Sequence, residues 1–295
     1  MDLYIQVLVS GLLLGGVYAV ISIGLNLLFG VVRIINFAHG ELVMIAMYLT
    51  FWLNHLFNID PYLSIIVILP VMFIFGVAFQ KFFIQGIQTS SAIMKILTTV
   101  AISLILQNLA LIFWQGNYRT VDTVYSMSTL ELFNIVISVS RLVAFIVALV
   151  SITVLHYFLK YTYLGKALRS IIEDSTVARY MGINVERHYL FAFGLATVFA
   201  ALGGVLLMPF SSVYPTVGGP LTLVAFVVVV LGGLGNMGGT FLGGLFIGVV
   251  ESFGGTFVSP ALKEAIYFTI FIIVLLVRPE GLLGIGKGTG EVGLK

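Results

Sequence analysis

The chain has 295 residues, of which 60% are hydrophobic and 9% charged, with a formal net charge of +2. A soluble domain carries about 25% charged residues, so this composition excludes one and identifies a multi-pass membrane protein. The absence of cysteine excludes disulfides, thiol catalysis and cysteine metal sites, and a balance so near neutrality gives no sign of a nucleic-acid partner.

Taken in order, apolar runs fall at 4–30, 40–54, 61–82, 93–114, 139–159, 189–209, 221–232, 240–253 and 264–278. Crossing about 30 Å of hydrocarbon takes about 20 helical residues, so the seventh and eighth runs are too short to cross unaided. The first run lacks the basic segment that precedes a cleavable signal and reads as a retained span. Lys160, Lys166, Arg169, Arg179 and Arg187 cluster between the fifth and sixth runs, which predicts a cytoplasmic 160–188 loop. Lys81 and Lys95 mark a second inner loop, and Arg278, Lys287 and Lys295 an inner C-terminus. By alternation 54–61, 115–138 and 211–220 face outside. Arg119 and Arg141, at the edges of the second of these, are accompanied by Asp122 and Glu131. The N-terminus then also lies outside.

The first interruption is GLNLLFGVVRIINFAHGELVMIAMY, Gly24 to Tyr48, where Arg33, Asn36, His39 and Glu41 stand within nine residues between apolar helices. One His and one carboxylate fall short of a metal ligand set, so no metal or other cofactor is expected. Intramembrane polar groups are usually paired or functional. Here they predict a structural break: Asn36 capping a helix that starts near Phe37, Glu41 in its first turn, and Arg33 pairing across the turn. A proton relay is the alternative.

Gly165 to Arg187 is the one long polar interruption well inside the apolar chain. Leu164, Ala167, Leu168, Ile171, Ile172, Ser175 and Ala178 recur at helical spacing, while Lys166, Arg169, Glu173, Asp174 and Arg179 take the other side. Asp174 or Ser175 reads as the cap of a second short helix, Gly182 as a left-handed terminator followed by Ile183, and Asn184 as the next cap. Three punctuation marks in eleven residues predict a folded cytoplasmic platform. An amphipathic segment floating on lipid headgroups is the alternative.

Between Leu231 and Gly248 nearly half of the residues are glycine, a composition that predicts a broken membrane helix. With the break near Arg33 it hints at an internal repeat, without residue-level identity to support one. Glu251 and Glu264 flank ESFGGTFVSPALKE and read as solvated groups at an external turn. His55, His156 and His188 sit at span ends and read as interfacial. GLLGIGKG, Gly281 to Gly288, has phosphate-loop spacing, but Gly288 replaces the magnesium-binding hydroxyl and no strand precedes it, so nucleotide binding is not expected. No Ser/His/Asp set or paired carboxylates argue for catalysis.

These blocks together resemble the integral-membrane permease subunits of bacterial ABC uptake systems for branched-chain amino acids, of the H type. The carriers are Gly24 to Tyr48, Gly165 to Val185, AFVVVVLGGLGNMGGTFLGGLFIGVVE (Ala225 to Glu251) and RPEGLLG (Arg278 to Gly284), so the likeness covers essentially the whole chain. It implies an all-α, type II importer-like helical bundle with about eight to ten membrane segments, some broken or re-entrant, forming a single permease domain over 1–295. It also implies a non-catalytic subunit that works with two cytoplasmic ATP-binding subunits, a second permease chain and a periplasmic or surface-anchored amino acid binding protein. In the family the stretch matching 165–187 is the coupling element, which falls here on Glu173, Asp174, Ala178 and Gly182. Gly182 would shape the turn, and Ala178 would allow close approach of the ATPase. The alternatives are a urea or short-chain amide permease of the same family and, from another class, a stand-alone secondary transporter.

Overall fold

The computed structural model describes residues 2–278 except 124, 127, 133 and 134, together with Gly281. The phosphate-loop look-alike at Gly281 to Gly288, most of the RPEGLLG block, and Lys287 and Lys295 fall outside the described residues. Eleven α-helices account for most of the rest. They are α1 Asp2–Val32, α2 His39–Phe57, α3 Ile65–Phe79, α4 Ala92–Trp114, α5 Val139–Tyr161, α6 Tyr163–Glu173, α7 Ser175–Tyr180, α8 Val185–Leu207, α9 Gly218–Gly232, α10 Met237–Phe257 and α11 Lys263–Val277. Seven are long and apolar enough to cross a membrane: α1, α2, α3 with its extension to Ile87, α4, α5, α8 and α10. α9 and α11 are shorter, at 15 residues each. The chain is a polytopic helical membrane protein.

α1 and α8 form the centre, each surrounded by other helices and largely buried, whereas α4 and α5 present most of their apolar surface outward. In hydrocarbon an outward Leu or Ile gains nothing by moving inside, so helix association rests on close packing between small residues. The α1–α10 contact is built that way. A Cβ on Gly15 would stand 2.7 Å from Leu245 Cα, and one on Gly244 2.7 Å from Ala19 Cα.

This contact corrects the expectation that 231–248 is broken throughout. The interruption is confined to the turn between α9 and α10, where Gly233 (φ +94°) and Gly235 (φ +82°) take backbone conformations other residues avoid. Gly238, Gly239, Gly243, Gly244 and Gly248 lie inside α10, uninterrupted. The weak helix propensity of Gly244 and Gly248 is outweighed by the approach to α1 that they permit, and that of Gly239 and Gly243 by the approach to the end of α9.

The loops sort to the two ends of the bundle. At one end Gln6, near the start of α1, bonds both ways with the Val136 backbone. There too Tyr125 donates to Asp60 (2.6 Å), and Arg119 and Val213 exchange two backbone hydrogen bonds of 2.9 Å. Segments 115–138 and 208–217 thus close over the end that also holds the N-terminus. A short hairpin, β1 Thr129–Leu132 with β2 Ile135–Ser138, lies in the first of them and was not anticipated from sequence. The opposite end gathers the 33–38 break, α6, α7 and the 233–236 turn. Gly30 there faces Ile172 and Gly235.

Glu251 departs from its expected solvated place. α10 continues six residues beyond it, so the side chain is buried in the bundle, and Lys263 from the start of α11 reaches back to it at 2.7 Å. A buried carboxylate needs such a partner. Glu264 is exposed, as expected.

Candidate functional site

Two places gather polar side chains that the fold does not otherwise require, the break between α1 and α2 and the platform between α5 and α8. At the break, α1 stops at Val32 and Arg33 takes a left-handed conformation (φ +55°). Asn36 then opens α2. Its side-chain oxygen accepts from Ala38 N–H and its carbonyl from His39 N–H, both at 3.1 Å. The helix begins at His39, two residues later than the sequence predicts, because Asn36 makes a turn ahead of the helix and the capping position falls to Ala38. Arg33 is exposed and forms no ion pair among the described residues, so the expected pairing across the turn is absent.

The other two residues are buried in the bundle. His39 Nε2 donates to Ile21 O at 2.9 Å, tying α2 to the middle of α1. Glu41 lies in the first turn of α2, only 1% exposed. Its Oε1 accepts from Ser103 of α4 at 3.2 Å, and its Oε2 has no partner among the described residues. The start of α9 packs directly on it. A Cβ at Gly218 would collide with the Glu41 carboxylate, and one at Gly40 would collide with Gly218 O and Thr222 Oγ1. Gly40 N–H donates to Thr222 Oγ1 (2.9 Å), which joins the beginnings of α2 and α9. Sequence reasoning assigned Glu41 to the helix dipole and did not foresee α4 or α9 as its neighbours.

Sequence reasoning also passed over Asn26. Its amide donates to Thr240 Oγ1 and accepts from Gly235 N–H, both at 2.7 Å, holding the α9–α10 turn to α1. The available signal is an amide far inside a long apolar run, where polar groups act as interhelical links.

On the platform the predicted punctuation is present. Asp174 accepts from Thr176 and Val177 N–H at 2.7 and 3.0 Å and starts α7. Those donors, and to a lesser degree the nearby Arg33 charge, hold its carboxyl below the ordinary value. Gly182 (φ +84°) ends α7, with Gly182 N–H on Arg179 O and Ile183 N–H on Ala178 O, each 3.0 Å, the paired bonds of a left-handed terminator. Asn184 caps α8 by accepting from Arg187 N–H at 3.1 Å.

The apolar stripe docks on the chain itself. Leu168, Ile171 and Ala178 are buried in the main core and Ala167 is buried too, whereas Leu164 is exposed and Gly165 takes its place against α5. Ala178, expected to allow close approach of the ATPase, faces inward and is buried against the chain's own core. What points away from the bundle is Glu173, Asp174, Val177, Tyr180, Met181 and Gly182. Tyr180, which ends α7, and Met181 after it are 85% and 79% exposed, and sequence reasoning did not single them out. The Arg179–Glu186 pair (2.6 Å) braces this tip against α8.

The family model described as branched-chain amino acid transport system, permease component, matches residues 7–275. The high-affinity branched-chain amino acid transport system permease protein LivH of Salmonella typhimurium is 29% identical over 297 residues, covering 95% of this chain and 96% of that protein. The corresponding protein BraD of Pseudomonas aeruginosa is 30% identical over 296 residues, with the same coverage. The ribose import permease protein RbsC of Escherichia coli matches at 31% over 103 residues, 32% of each chain. No solved structure matches.

Proposed function

The chain belongs to the branched-chain amino acid transport permease family, and from that premise we propose that it is the membrane permease subunit of an ATP-driven importer for leucine, isoleucine, valine or similar apolar amino acids. It forms part of the translocation path and couples to ATPases carried on separate chains. The observation that carries this reading is the full-length likeness to LivH and BraD in a chain whose one folded polar platform turns an apolar tip, Tyr180 and Met181, away from the bundle. A partner at that tip, contacted also by Glu173, Asp174 and the Gly182 turn, would be the ATP-binding subunit. A second permease chain and an external amino acid binding protein complete the assembly. The subunit itself is non-catalytic.

The lysines and arginines support a cytoplasmic platform, which puts the N-terminus and the 115–138 segment outside a bacterial or archaeal cytoplasmic membrane. Because the chain has no cysteine, Glu131→Cys in intact cells is expected to react with an impermeant thiol reagent and Thr176→Cys to react only after permeabilisation. Labelling of Thr176→Cys from outside would reverse the orientation.

Reconstitution tests the function. The chain assembled with its ATPases, partner permease and binding protein is expected to take up leucine in liposomes only with ATP, while the chain alone moves nothing and hydrolyses nothing. Urea or amide uptake without leucine uptake transfers the assignment to the sister subfamily. Gradient-driven uptake by the lone chain refutes the ABC reading.

A further inference from the structure

The described residues include two carboxylates buried among the helices, and only one has its cation. Glu251 is neutralised by Lys263 at 2.7 Å. Glu41 is more deeply buried, has one hydroxyl donor in Ser103, leaves Oε2 unpartnered, and has no lysine or arginine within ion-pair distance. Leaving a carboxylate unpaired at such a place is costly unless something else supplies the charge.

Glu41 lies where α2, α4 and the start of α9 meet, and the two residues that open α9 are glycines. Gly218 lies on the carboxylate, while a Cβ at Gly219, about 100° further round the helix, would meet nothing within 4 Å, so α9 is open on the side next to the one that covers Glu41. α9 starts without a side-chain cap, leaving its first N–H groups as a positive end.

A line of unsatisfied polar atoms leads from this point toward the end of the bundle that holds the N-terminus. Tyr48 and Trp52 follow Glu41 on the same face of α2, at i+7 and i+11. Tyr48 OH and Trp52 Nε1 are both buried without partners among the described residues, as is Nε of Arg119, whose guanidinium lies over Trp52 at 5.2 Å. Tyr48 stacks on Trp114 of α4 with ring centroids 3.9 Å apart, which closes the line from that end. α4 is lightly held, with most of its surface facing outward, so it is the wall that can yield.

We infer that Glu41, with Ser103, is the recognition point for the ammonium group of a zwitterionic amino acid on its way across the membrane, and that the uncapped start of α9 takes its carboxylate. The ammonium supplies the cation that Glu41 lacks, and the open side of Gly219 receives the rest of the molecule. This rests on the transport reading above and adds to it a specific counter-charge in the path.

The test uses the assembled importer with Gly219→Cys as the sole cysteine and a small methanethiosulfonate reagent. Leucine transport by the Gly219→Cys importer is measured first. With leucine at about ten times its apparent Kd, labelling of the introduced thiol is expected to slow about tenfold, and 4-methylpentanoate, which lacks the amino group, is expected to leave it unchanged. Adding Glu41→Gln should remove the protection while labelling without leucine stays as before, which shows that the bundle is intact. Ser103→Ala should weaken protection without removing it. Leucine transported with no protection of the thiol, or protection that survives Glu41→Gln, overturns the site and leaves the transport function standing. Absence of leucine transport by the importer with its native Gly219 overturns both.

Discussion

Replacing Gly248 by valine is expected to prevent accumulation of folded protein. A Cβ at Gly248 would collide with Gly11 O and with the backbone of Gly15, and a flexible side chain is nowhere among the atoms met. Backbone cannot step aside without separating α1 from α10, and α1 is the helix on which α5, α8 and α9 also pack. Overpacking of this kind costs about 3 kcal/mol or more. The opposing effect is small, since leaving glycine for a side chain in a helix interior recovers at most about 0.5 kcal/mol of propensity when the newcomer is β-branched. Gly255, on the same helix, is the control, because a Cβ there would meet nothing within 4 Å. Gly255→Ala should therefore be neutral or stabilising by up to about 1 kcal/mol. Fluorescence-detected size-exclusion profiles and thermal midpoints of the detergent-solubilised variants distinguish the two positions. Wild-type behaviour of Gly248→Val would mean that α1 and α10 do not approach as described.

The difference between those two glycines marks where sequence reasoning stops. Composition and run length located the long helices to within a few residues, because in a bilayer an apolar run of sufficient length has few other options. Local rules reached further on the platform, since Asp174, Gly182 and Asn184 each act on backbone atoms within a few residues of themselves. They failed wherever the partner was distant in sequence. Glu251 reads as solvated because Lys263 belongs to the next helix, and Ala178, although on the apolar stripe, reads as a place of close approach for a partner because the platform's own docking partner is absent from the local pattern. The surroundings of Glu41 depend on Ser103 and Gly218, respectively 62 residues and most of the chain away, and no periodicity connects them. Glycines within α10 look like a break because propensity is local, whereas Gly244 and Gly248 serve a contact with α1 and Gly239 and Gly243 one with α9.

On the proposed coupling ridge, Gly182→Val is expected to abolish most uptake while leaving insertion and assembly intact. The position separates two causes that usually occur together. A Cβ there meets nothing within 4 Å, so a valine has room and no packing is lost. What it cannot do without strain is hold φ at +84°, which costs a β-branched residue about 1–2 kcal/mol or more. Relief of that strain gives up the bonds from Gly182 N–H to Arg179 O and from Ile183 N–H to Ala178 O. The tip that carries Tyr180 and Met181 would then swing relative to α8, while α6 and Ala178 stay docked in the core. Gly182→Asn, which tolerates the left-handed conformation, should retain most of the uptake, and Tyr180→Ala should lose it without any change of backbone. The decisive measurement is ATP hydrolysis by the assembled importer with and without loaded binding protein. Gly182→Val and Tyr180→Ala are expected to lose the stimulation, and Gly182→Asn to keep it. Normal stimulation in both of the first two would place the coupling surface elsewhere on the end of the bundle that carries α6 and α7.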